Sequence, residues 1–148
     1  MKHIFLLALL AGLLALPQSE LSAQAARAFK ARLSSMPYDL ATAPSMTGVG
    51  SVTATLTGVR LTINGTFEGL SSPATVARLH KAQRGVRGPA VLDIKVSAGT
   101  SGTVTATLDL TAPQVQDLVN GRLYVQLHSE KAPDGNLWGW LLPQEMKR

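Results

Sequence analysis

Leu123-Tyr124-Val125-Gln126-Leu127-His128-Ser129 alternates apolar and polar side chains without a break and runs on into Pro133-Asp134-Gly135-Asn136-Leu137-Trp138-Gly139. A period of two is the signature of a half-buried strand. Leu123, Val125 and Leu127 then share one face, and Tyr124, Gln126 and His128 the other. Ala77-Arg78-Leu79-His80 repeats the arrangement upstream, placing Arg78 beside His80. With His3 in the N-terminal segment set aside, His80 and His128 are the histidines of the chain.

Outward from that stretch the β pattern continues. Val52, Ala54 and Leu56 alternate with Ser51, Thr53, Thr55 and Thr57, and Leu61, Ile63 and Phe67 follow a turn at Gly58. Ala90, Leu92, Ile94 and Val96 form another set, as do Val104, Ala106, Leu108 and Leu110. Leu137 to Leu142 closes the series with Trp138 and Trp140 on one face. Turn signals stand at Asn64-Gly65, Ala98 to Gly102 and Asp134-Gly135. Asn64-Gly65-Thr66 also matches a glycosylation sequon but reads as a hairpin turn. Short threonine- and valine-rich strands at this spacing predict an all-β fold, an antiparallel Greek-key, immunoglobulin-like β-sandwich. One short helix interrupts it: Thr111 caps, Pro113 and Gln114 follow, Val115, Leu118 and Val119 form the apolar side, and Gly121 ends it.

The N-terminal part reads differently. Lys2 and His3 precede the apolar run Ile4 to Leu16, which is shorter than the roughly 20 residues a membrane span needs. Residues 1–25 are therefore expected to be an export signal, cleaved after Ala23 or Ala25, with a periplasmic or secreted destination. Residues 26–47 form a leader. Ala28, Phe29, Arg32 and Leu33 at helical spacing predict a short helix, and Tyr38 to Met46, between prolines, an extended connector. The domain over 48–142 is expected to fold without this leader, and 143–148 is a tail. The chain has no cysteine, which removes thiolate metal sites and cysteine nucleophiles. Its net charge of +5 points to an acidic partner or membrane surface. So few aromatics make nucleic acid an unsuitable partner.

The order Glu68-Gly69-Leu70, Ala77 to His80, Arg87-Gly88-Pro89-Ala90, Leu118 with Gly121, Leu123 to Ser129 and Pro133 to Gly139 resembles the CHRD domain. This is a module found in chordin and in exported bacterial proteins. The resemblance implies a β-sandwich over about residues 48–142 and no shared catalytic chemistry. The chain departs from the family pattern at Arg78, where a histidine is usual, at Gln126 in place of asparagine, and at Asn136-Leu137-Trp138.

Arg78, His80, Gln126 and His128 are expected to form one polar patch if their strands approach as in the family. Two imidazoles can hold copper or zinc, but Glu130, Asp134 or Gln126 would have to complete the ligand set, and Arg78 opposes a cation. Ser129 follows His128, yet it lies on no nucleophile elbow and has no orienting third group. No enzyme activity and no cofactor are expected. The basic residues Arg78, Lys81, Arg84 and Arg87, with Phe29, Leu33 and Tyr38 of the leader, are the expected contacts with a larger periplasmic or membrane-associated protein. The expected function is that of an accessory or scaffolding subunit, with a metal-binding module on His80 and His128 as the alternative.

Overall fold

The structure is a computed structural model that describes residues 25–145. The expected export signal, apart from Ala25, and the last residues of the expected tail lie outside them. Among the described residues, the strands are β1 (Arg27–Ser35), β2 (Val49–Thr57), β3 (Arg60–Glu68), β4 (Ala74–Lys81) and β5 (Ala90–Val96). They continue as β6 (Gly102–Asp109), β7 (Leu123–Ser129), β8 (Ala132–Trp140) and β9 (Leu142–Pro143). Helix α1 (Ala112–Val119) lies between β6 and β7, and a 3-10 turn occupies Ala43–Ser45. No helix among the described residues is long and apolar enough to cross a membrane.

The all-β reading and the single short helix hold, but the strands close on themselves. Their order is β2-β3-β6-β5-β4-β7-β8-β1, and β1 also pairs with β2. The result is an eight-stranded antiparallel barrel in place of the two open sheets of a sandwich. Closure rests on two short seams. β5 meets β6 through Lys95–Thr105 and Val96–Val104, and β1 meets β8 through Ser34–Trp138 and Ser35–Leu137.

β1 is the main correction to the sequence reading. The expected leader helix is a strand, and Arg27 to Leu33 pair antiparallel with Leu56 to Gly50. Phe29 and Leu33, read as anchors for a partner, are at most 1% exposed and fill the interior. Phe29, Ala31 and Leu33 satisfy a period of two as well as the helical spacing. An isolated helix of that length is marginal in water, whereas the strand buries all three side chains and supplies the ladder that closes the barrel. The expected tail is tied in too: Phe29 and Lys30 pair with Pro143 and Leu142 of β9, and the Gln144 amide donates to the Ala28 carbonyl.

The interior is the alternating set read from sequence, joined by β1 and by Leu118 of α1. Asn64-Gly65 is not a turn but lies inside β3, opposite Thr53 and Val52. A β-carbon at Gly65 would stand 2.6 Å from the Ser51 carbonyl and 2.7 Å from a Val52 methyl. Glycine is there because backbone and neighbours leave no room for a side chain. Asp134-Gly135 likewise lies within β8, and the hairpin turns at Glu130 and Lys131 instead. The helix forms as its sequence dictates: Thr111 Oγ1 accepts from the Gln114 amide, and Gln114 Oε1 accepts from the Thr111 amide, a reciprocal capping box.

Candidate functional site: the capped outer face of β4, β7 and β8

Outward positions of three adjacent strands carry the distinctive side chains. Arg78 stands opposite Gln126, His80 opposite Tyr124 and Val76 opposite His128. Tyr124 and Gln126 in turn face Trp140 and Trp138. The structure thus brings Arg78, His80, Gln126 and His128 onto one face. It also shows what their spacing alone does not: the face is covered. The loop 82–89 between β4 and β5 folds back over it, and four polar groups hold the loop down. His80 Nδ1–H donates to the Gly88 carbonyl at 2.8 Å, and the Gly88 amide donates to Tyr124 Oη at 3.0 Å. Trp140 Nε1 donates to the Ala82 carbonyl at 3.0 Å, and Arg87 donates to the Asp134 carbonyl at 3.1 Å.

Beneath the loop the rings pack on one another. Tyr124 is fully buried although it points away from the barrel interior. It stacks on His80 at 5.1 Å and lies 4.5 Å from Trp140 and 5.9 Å, edge-on, from Trp138. Aromatic pairs at such separations add to the stabilisation from burial. Beside them Met36, Met46, Ala132 and Trp138 form a second small apolar cluster under the 36–46 segment. Gly135, at φ +123°, sits where a β-carbon would meet Met36 and the Gln126 amide, so β8 can approach both only without a side chain there.

The histidines have defined chemistry. The carbonyl partner of His80 Nδ1 requires a proton there, and the other ring nitrogen, Nε2, is buried and has no partner among the described residues. His128 Nδ1–H donates to the Pro133 carbonyl at 2.8 Å, and its Nε2 accepts from Gln126 Nε2 at 3.2 Å. The same Gln126 nitrogen donates to the Asp134 carbonyl. Burial holds the His128 pKa below the ordinary histidine value of 6.5, and the nearby Arg78 and His80 act in the same direction against Pro133 and Asp134. The ring centres of His80 and His128 are 6.4 Å apart. Among the described residues no group of three or more metal-binding side chains converges. Ser129 is buried and donates to Asn136 Oδ1 at 2.8 Å, while Asn136 Nδ2 donates to the Thr47 carbonyl.

The basic residues divide. Arg78 and Lys81 lie in β4 rather than in a loop, and both are paired: Arg78 with Asp93 at 3.1 Å, Lys81 with the largely buried Asp117 at 2.8 Å. Arg84 and Arg87 belong to the covering loop and are exposed. Tyr38, the one of the three expected leader contacts that stays at the surface, is 57% exposed. It lines a groove of about 390 Å³ together with Asp39, Met46, Arg87, Lys131 and Pro133. The sequence reading passed over Lys131 in this groove and Lys30 and Arg32 on β1; the signal for the two on β1 was the period of two beneath the helical spacing.

No curated protein and no solved structure matches the chain. The profile of the CHRD domain does, over residues 29–141, and so takes in most of β1 and the strand bearing Tyr124, Gln126 and His128. With the match spanning the barrel from β1 to the end of β8, the chain belongs to the CHRD domain family.

Proposed function

We propose that this protein is an exported, non-catalytic binding module, an accessory or scaffolding subunit of a larger periplasmic or membrane-associated complex such as a respiratory dehydrogenase. Membership of the CHRD family supports a binding role. The observation that carries the reading is how the polar groups of the capped face are used. His80, Tyr124, Trp140 and Arg87 hold the covering loop, and His128, Gln126 and Ser129 hold strand ends and neighbours. The open part of this region is the groove where Tyr38, Arg87 and Lys131 meet. It combines an aromatic with cations, the residue types that dominate binding hot spots. Tagged protein should therefore retain a stoichiometric partner from periplasmic extract. That partner should be lost with Tyr38→Ser and Arg87→Gln but kept with Arg60→Gln, whose side chain lies elsewhere. Equal retention by all three variants would refute this contact surface. The mature N-terminus, read by mass spectrometry, should be Gln24 or Ala26.

The unpartnered Nε2 of His80 beside His128 supports a second reading, a copper or zinc module. A metal bound by these two residues would raise the melting temperature by mass action. The rise would vanish in His80→Ala and in His128→Ala. No shift at stoichiometric copper or zinc leaves the binding module as the reading.

A further inference from the structure

The seam between β1 and β8 opens a second surface, distinct from the Tyr38 groove. Past Ser34 the ladder between the two strands ends, with Gly139 still against the Arg32 carbonyl, and Lys30 pairs with β9. A trench of about 300 Å³ lies over the seam, lined by Arg32, Ser34, Arg84, Trp138, Trp140 and Leu142. The two half-buried indoles stand edge to face, 4.8 Å apart, and share the trench with the two arginines. Arg84 carries the surface into a neighbouring groove with Asn120 and Arg122. Arg32 carries it the other way, past Lys30 to Ser51 and Thr66. From there Thr53, Asn64, Thr103 and Thr105 continue it across the bare face of β2, β3 and β6.

Four cations therefore flank the track: Lys30, Arg32, Arg84 and Arg122. Among the described residues none of them has a carboxylate within salt-bridge distance. The acid on the track is Glu68, in the groove beyond Arg32 and apart from the tryptophans. Of the large exposed apolar residues Val49 lies on the track, while Tyr38, Leu40, Val59 and Val86 lie off it, so a single valine stands where a docked helix would use a row of anchors. We propose that this track binds an extended acidic polysaccharide, with sugar rings on Trp138 and Trp140, carboxylates on Arg32 and Arg84, and hydroxyls on the serine, threonine and asparagine side chains. Indole faces offer large apolar area with a defined geometry. Guanidinium groups match carboxylates in bidentate pairs.

The inference goes beyond the proposed partner-binding role and uses other residues. Titration of the purified protein with polygalacturonate, dextran and single-stranded DNA at 0.15 M salt tests it. Trp138 and Trp140 are the two tryptophans of the chain, so their fluorescence reports on the trench directly. Polygalacturonate should change that emission, and dextran should not. Arg32→Gln with Arg84→Gln should weaken polygalacturonate binding about tenfold, as expected for losing charge-assisted contacts, with no change in melting temperature. Tyr38→Ser with Arg87→Gln should leave it intact. Absence of polygalacturonate binding, or binding undiminished in the Arg32/Arg84 variant, would overturn the proposal. So would single-stranded DNA binding as tightly as polygalacturonate, which would mark a general polyanion surface.

Discussion

The two sides of the barrel obey the same alternation and reach opposite ends. On β2, β3 and β6 the outward residues Thr53, Thr55, Thr62, Thr66, Thr103 and Thr105 are all exposed. On β4, β7 and β8 the outward residues His80, Tyr124 and Gln126 are buried, with Tyr124 wholly so. Threonine suits a pleated surface left in water. A tyrosine between a histidine and two tryptophans presents too much apolar area for that, and the face is stable only with the 82–89 loop and the 36–46 segment laid over it. One side of the barrel wall is a surface, and the other is a second core. An outward position is thus not the same as an exposed one.

The harshest way to break this contrast is to remove residues 26–46, which supply both the strand that closes the barrel and the cover over Trp138. We expect the truncated protein to lose cooperative unfolding altogether when heated and followed by far-UV circular dichroism. A sharp transition would return the leader to the status of an appendage. Next in size, Tyr124→Ala should cost about 3–5 kcal/mol in urea unfolding, as for other buried aromatics. Thr62→Ala, across the barrel, should cost under about 1 kcal/mol. Equal costs would mean the capped face is not a core.

A finer test compares two ion pairs. Lys81→Met leaves the Asp117 carboxylate largely buried without its partner, and should destabilise by about 1–2 kcal/mol once the partial exposure of Lys81 is allowed for. Arg60→Met breaks an exposed pair with Asp109 on the bare side and should leave the urea midpoint unchanged. The smallest effect is on pH dependence. His128 has a folded pKa below its unfolded value of 6.5, set first by burial. Its contribution to stability is therefore complete above pH 6.5. It is lost as pH falls from there through the lower folded value, because the unfolded chain takes up the proton first. His128→Gln should flatten that part of the stability profile, and an unchanged profile would mean that His128 titrates as in the open.

Much of the site was legible because strand periodicity places residues on faces. Spacing alone put Arg78 with His80 and Gln126 with His128, the family resemblance implied that the two pairs meet on one face, and the Thr111 capping box could be read residue by residue. What escaped was cover. Nothing in Ala82 to Pro89 announces that its Gly88 and Ala82 backbone groups will meet Tyr124, His80 and Trp140. Arg78 and Lys81 read as free contact residues because their acidic partners, Asp93 and Asp117, are distant in sequence.

By itself, then, the sequence determined the all-β class, the inward and outward sets of the alternating stretches it showed, and the position of the helix, because these depend on alternation, propensity and capping over a few neighbouring residues. Tertiary structure decided that Ala28 to Leu33 is strand rather than helix, that the strands close into a barrel, and that Tyr124 faces outward yet is buried. Each of those outcomes depends on pairs far apart along the chain: Phe29 with Ala54 and Pro143, Ser34 with Trp138, and Gly88 with Tyr124. Local preferences that are nearly balanced, as in AARAFKARL, are settled by whichever arrangement buries more apolar surface and leaves fewer backbone groups unpaired.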